Sequence, residues 1–148
     1  MFNVITKMEL FDRPSRPIAD QDNFTSIAGA IADLVDGAVT NVTTDTDPVN
    51  PVFVLTAVSG NVYEGHDVKG GRVTTLEDYG VRINVDTKII EGAAPAGTYL
   101  VPAVADGTEG KLIAATTGKT AVAQVVVADA INGIYEIKTV SPFIPVTA

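Results

Sequence analysis

The sequence predicts a mainly β fold: a small antiparallel β-barrel or sandwich with one N-terminal α-helix and an extended N-terminal arm. Three observations predict it. Gly60, Gly70-Gly71, Gly80, Gly92, Gly107 and Gly118 stand roughly ten residues apart and punctuate short runs of Val, Ile, Leu, Thr and Tyr. That is the rhythm of strands and tight turns. Val81-Arg82-Ile83-Asn84-Val85-Asp86 alternates apolar and polar without a break, which puts one face of a strand inward and the other outward. Asn132-Gly133 lies between two apolar runs, the strongest two-residue hairpin signal in the chain.

The elements follow in order. Residues 1–21 read as the arm, and residues 22–148 as a single β-rich domain. Pro14 and Pro17 fix φ and push Arg13 and Arg16 toward extended conformations. Phe2, Val4, Ile5, Met8, Leu10 and Phe11 make the arm too apolar to hang free. It has to lie on its own domain or on a neighbour. The helix is expected over 23–36, where Phe24, Ile27, Ala28, Ile31, Leu34 and Val35 recur at spacings of three and four. Asp22 or Asn23 caps its start, and Gly37 ends it. Two features fit that helix poorly. Asp33 and Asp36 fall at its negative end with no Lys or Arg nearby, and Gly29 stands in its middle.

Strands are expected over 39–44, 52–58, 61–64, 72–76, 81–86, 99–104, 111–115, 120–130 and 134–140, with 91–97 as a loop. A two-residue turn at Asn132-Gly133 would pair Ile131 with Ile134, Ala128 with Ile137 and Asp129 with Glu136. The last pair sets two acids face to face. Pro142 and Pro145 exclude a central strand at the C-terminus. Phe143 and Ile144 there suggest a second docking segment.

Composition narrows the function. A chain of 148 residues is one domain. With 46 % apolar and 19 % charged residues it is globular, not disordered. The absence of Cys removes disulfides, thiolate metal sites and thiol nucleophiles together. Residues 1–20 carry three basic and three acidic side chains, so the rest of the chain holds the whole net charge of −8. Such a body repels a phosphate backbone, which argues against direct nucleic-acid binding. No apolar run is long enough to span a bilayer. Lys7, Glu9, Asp12 and Arg13 interrupt any secretory signal. The sequons at Asn23 and Asn41 are therefore read as chance matches.

The motifs that invite chemistry fail on inspection. Gly118-Lys119-Thr120 has Ile113 where a phosphate loop needs glycine. Asp45-Thr46-Asp47 and Asp86-Thr87-Lys88 lack the glycine of an aspartic-peptidase motif. The first also lacks the closing Glu of a calcium loop. His66 has no Ser, Cys or second His placed to complete a triad or metal site, so it is read as an exposed loop histidine. Glu64, Glu77, Asp78, Glu91, Asp106 and Glu109 fall in expected turns and read as solvated. Tyr63, Tyr79, Tyr99 and Tyr135 are scattered, and no Trp is present to build a sugar platform. No catalytic residue, cofactor site or metal site is expected.

From about Asn61 to Val140 the chain resembles the small β-barrel head-decoration, or capsid cement, proteins of tailed bacteriophages. The resemblance rests on Gly70-Gly71-Arg72-Val73, on Gly97-Thr98-Tyr99-Leu100-Val101-Pro102-Ala103, on Lys111–Gly118, and on Ala121–Ala128 closed by Asn132-Gly133. It implies a non-enzymatic, homo-oligomeric structural protein of the virion, made in the host cytoplasm and placed on the outer capsid surface. Its partners would be the major capsid protein and further copies of itself, as a homotrimer ahead of a homodimer. Such proteins bind through an extended N-terminal segment and the lower face of the barrel. The contact residues in this chain would be Phe2, Val4, Ile5, Met8, Leu10, Phe11, Arg13 and Arg16, joined by Phe143 and Ile144. The helix over 23–36 departs from the simplest members of that family. The competing expectation is a tail, baseplate or other glycan-binding β module that uses the tyrosines.

Overall fold

The computed structural model describes residues 2–4, 14–20, 22–24, 29–48, 50–56, 61–63, 66–68, 71–105, 107–129 and 131–145. In chain order the strands are β1 (Phe2–Val4), β2 (Ser15–Pro17), β3 (Ile31–Val35), β4 (Ala38–Thr40), β5 (Pro51–Thr56), β6 (Asn61–Tyr63) and β7 (His66–Val68). They continue as β8 (Arg72–Leu76), β9 (Arg82–Asp86), β10 (Ile90–Glu91), β11 (Tyr99–Pro102), β12 (Leu112–Ala114), β13 (Ala121–Asp129) and β14 (Ile134–Phe143). Seven strands form one sheet in the order β1-β9-β14-β13-β11-β12-β10, and five form a second in the order β2-β8-β5-β3-β4. β6 and β7 make a separate hairpin. All pairings are antiparallel except β10 with β12. The two large sheets are open, so the expected barrel does not close.

The main core lies between the sheets. Ile31, Phe53 and Leu76 of the five-stranded sheet meet Ile83, Val85, Leu100, Leu112, Val125 and Ile137 of the seven-stranded one. Removing each such side chain from water stabilises the fold by roughly 1.5–3 kcal/mol. The five-stranded sheet is apolar on its other face as well. Ile18, Ala32, Val39, Val52, Val54 and Val73 form a second cluster there, with Phe24 and Leu34 packed against it. That sheet curls until its two edges nearly meet. Ile18, directly after β2, makes a single parallel bridge to Val39 on β4. The Ile18 amide donates to the Gly71 carbonyl at 2.8 Å, and the Ala19 amide to the Val39 carbonyl at 3.0 Å.

The helix expected over 23–36 is absent from the described part of that stretch. Ile31–Val35 is instead β3, hydrogen-bonded to β5 and β4. The reason is local. Gly29 has φ +91°, and Asp36 and Gly37 have φ +50° and +80°, none of which fits a right-handed helix. Asp36-Gly37 is the two-residue loop of a hairpin whose flanks, Val35 and Ala38, pair directly. Positive φ at both central residues is the turn geometry that Asp-Gly favours. Residues 25–28, the middle of the expected helix, lie outside the described residues.

The last hairpin also differs in register. Asp129 pairs with Ile134, Ala128 with Tyr135 and Val127 with Glu136, so the loop holds four residues and not two. Asp129 therefore never faces Glu136. Its carboxylate accepts from the Asn132 amide at 3.1 Å and from Asn132 Nδ2 at 2.7 Å. Those bonds, the side-chain one first, hold the Asp129 carboxyl below its usual range. A bulge between Val125 and Val127 shifts the register once more and sets Val125 opposite Ile137, both buried.

β14 runs on through Pro142 to Phe143. It pairs with β9 only through Lys138, and past Thr139 its described partner is β13 alone. Pro142 thus falls where one side of the strand is open, which a residue without an N–H tolerates. His66 is not in a loop: it is the first residue of β7, directly across from Tyr63.

Candidate interaction site

The N-terminal segment expected to bind a partner contributes two strands to this chain's own sheets. β1 adds to the edge of the seven-stranded sheet, with Phe2, Asn3 and Val4 opposite Val85, Asn84 and Ile83. β2 adds to the edge of the five-stranded sheet, with Ser15, Arg16 and Pro17 opposite Thr74, Val73 and Arg72. Ile5, Met8, Leu10, Phe11 and Arg13 lie outside the described residues.

Arg16 is committed within the chain. Its Nε donates to Glu77 Oε2 at 3.1 Å and its Nη2 to Glu77 Oε1 at 2.7 Å. Thr75 Oγ1 donates to Glu77 Oε2 as well. Burial alone would push the Glu77 carboxyl up, but the Arg16 and Thr75 hydrogen bonds and the Arg16 charge hold it below its ordinary value. Arg72 fastens the same strand, donating from Nε to Ser15 Oγ at 2.9 Å and from Nη2 to the Ser15 carbonyl at 2.8 Å. At the other terminus Phe143 meets Tyr99 edge to face, with ring centroids 4.8 Å apart. Ile144 is 60 % exposed.

Two motifs set aside on sequence grounds meet each other. Lys119 Nζ donates to Asp45 Oδ1 at 2.8 Å. The Thr120 amide donates to the Asp45 carbonyl at 2.8 Å, and Thr120 Oγ1 to the Thr46 carbonyl at 2.5 Å. Gly118-Lys119-Thr120 and Asp45-Thr46-Asp47 form a clamp between the two sheets. Other acids have structural partners too. Glu91 accepts from Lys111 Nζ at 2.9 Å, and Glu109 accepts from the Gly107 amide at 2.9 Å. Among the described residues no three His, Asp or Glu side chains gather where they could hold a metal ion. No helix among them is long and apolar enough to cross a membrane.

The three tyrosines whose side chains are described do not converge on one surface. Tyr135 is buried in the main core, Tyr99 rests on Phe143, and Tyr79 lines a crevice beside Glu77 and Asp78. That crevice has a volume of about 10 Å³, enough for one water and far too little for a sugar. The side chain of Tyr63 lies outside the described residues.

A larger concavity had no signal in the sequence. It lies beside the β3–β4 hairpin, has a volume of about 280 Å³, and is lined by Asp20, Asn23, Phe24, Asp33, Val35, Thr40, Asn41 and Thr43. Asn23 and Asn41, the heads of the two sequons, meet there. Asn41 Nδ2 donates to the Asn23 carbonyl at 2.7 Å, and Asn23 Nδ2 to Asp20 Oδ2 at 2.7 Å.

No family model matches the sequence, and neither a curated protein nor a solved structure matches it.

Proposed function

We propose that the chain is a structural virion protein, a capsid decoration or cement subunit. In this reading it binds the outer face of a phage head at junctions between major capsid protein subunits, stabilises the shell and catalyses no reaction. The observation that carries the reading is β1. A three-residue terminal strand adds to the exposed edge of β9 by backbone pairing. Strand addition draws its affinity from main-chain hydrogen bonds and its specificity from alternate side-chain pockets. A strand tethered by residues 5–13 can make the same addition on a neighbouring subunit, which is how swapped assemblies arise at low cost. Several copies around a symmetry axis, as a homotrimer or a homodimer, turn one weak strand contact into avidity. Exposed Ile144 beside Phe143 supports a second contact from the other terminus.

The test is a truncation that spares the fold. Deleting residues 1–12 removes β1 and keeps Pro14 onward, so β2 and the Ile18 bridge stay. Full-length and truncated proteins are mixed with undecorated heads assembled from the major capsid protein of the same virus, then sedimented. Full-length protein is expected to pellet with the heads and raise their disruption temperature. The truncated protein is expected to stay folded by circular dichroism and remain in the supernatant. Full occupancy by the truncated form would overturn the role of β1. No pelleting by either form would overturn the decoration reading.

A further inference from the structure

We infer that the groove beside the β3–β4 hairpin binds one neutral sugar residue, as a site separate from β1. One wall follows from strand register. Asp33 pairs across from Thr40, so both project on the same face of the hairpin. The other wall is brought in by the Ile18–Val39 bridge, which carries the chain on to Asp20, Asn23 and Phe24. The Asn41–Asn23 and Asn23–Asp20 hydrogen bonds tie the walls together. The site is thus held by backbone pairing on one side and by side-chain amides on the other.

The lining selects the ligand class. At about 280 Å³ the groove is near the lower end of ligand clefts, which run about 300–1,000 Å³. That suits one monosaccharide unit. Six of the eight lining residues are polar, yet apolar atoms supply most of the groove's surface, a mixture that suits a ligand carrying both hydroxyls and a C–H face. Two carboxylates and no Lys or Arg line it, so an anion would be repelled. Asp33, only 3 % exposed, sets a carboxylate deep in the wall. Hydroxyls and amides from Thr40, Thr43, Asn23 and Asn41 offer donors and acceptors together. Each sugar hydroxyl also carries both, whereas an amine carries donors only. Phe24 adds the apolar surface that the C–H face of a sugar ring requires. Sequence reading looked for a tyrosine platform; the groove uses a phenylalanine and both sequon asparagines.

The test uses the full-length ¹⁵N-labelled protein and amide chemical-shift titrations. The probes are a panel of neutral hexoses and N-acetylhexosamines, with N-acetylneuraminic acid as the anionic control and ethylammonium as the cationic one. At least one neutral sugar is expected to give saturable millimolar shifts confined to residues 20, 22–24, 33–35 and 40–43. Asp20 is exposed, so Asp20→Ala should keep the fold, with spectral changes limited to the Asn23 side of the groove where it breaks the Asn23–Asp20 bond, and should weaken binding roughly tenfold, as loss of one hydrogen bond to a charged acceptor does. Phe24→Ala should weaken it at least as much. Three outcomes would overturn the inference: no saturable shift with any neutral sugar, saturation by ethylammonium alone, or wild-type affinity in Asp20→Ala. None of them depends on whether the chain decorates a capsid.

Discussion

Three donors converge on the Glu77 carboxylate: two from Arg16 and one from Thr75. Because they favour the charged form, Glu77 titrates below its unfolded value in the folded chain. Its contribution is therefore fully present above the ordinary glutamate range and is lost as pH falls through the depressed value. Glu77→Gln is expected to lower the thermal midpoint at neutral pH and to flatten its fall below pH 5 or so. An unchanged acid limb in a series of melts would show that the Arg16 clamp carries no linkage. Little of this was legible beforehand. Arg16 reads as a partner contact because it falls in the N-terminal arm expected to dock on a neighbour. Its partner is far away in sequence, and no local pattern announces a pair closed by strand register.

At the scale of single elements, the strands with one wet face were the legible ones. The 81–86 alternation placed Ile83 and Val85 inward, as found. Arg72–Leu76 was read with its observed bounds. β3 was misread for a physical reason. Ala30, Ile31, Ala32 and Asp33 are all buried, since that sheet is covered on both faces, and a strand buried on both faces shows no alternation. Its apolar residues then also fit a helical period. The two misfits in the helix reading, Asp33 and Asp36 at the end with no Lys or Arg near them in sequence and Gly29 in the middle, point to the strand. Asp36-Gly37 carries the same turn chemistry as Asn132-Gly133, but a glycine after an apolar period also fits a helix stop. Gly37→Ala tests the corrected turn. Nothing lies within 4 Å of a Cβ added there, so the cost is purely conformational, about 1 kcal/mol for an L-residue in the left-handed region. Urea melts should show it. An unchanged midpoint would mean that φ at Gly37 is not positive in solution.

For the molecule as a whole, the candidate site was the least legible part. The groove is assembled from Asp20, Asn23 and Phe24 on one stretch and from Asp33, Val35, Thr40, Asn41 and Thr43 on another, and the Ile18 bridge and the Asn41–Asn23 bond bring those stretches together. A single residue thus ties opposite edges of the five-stranded sheet, fills its inner cluster and sets one wall of the groove. Ile18→Ala should cost about 2–5 kcal/mol, the range for truncating a buried Ile. It should also speed hydrogen exchange at Ala19, whose amide bonds to the Val39 carbonyl. Slow exchange at that amide in the variant would show that the bridge stands without its side chain.

The register of the two N-terminal strands orders events during synthesis. Ser15–Pro17 leaves the ribosome early, yet Ser15 pairs with Thr74, and Phe2 pairs with Val85. The nascent chain must keep both N-terminal strands unmated until about half of its length has emerged. Such long-range pairing slows folding and leaves sheet edges open in the interval, so newly made copies pass through a period in which another molecule's leading strand can dock first.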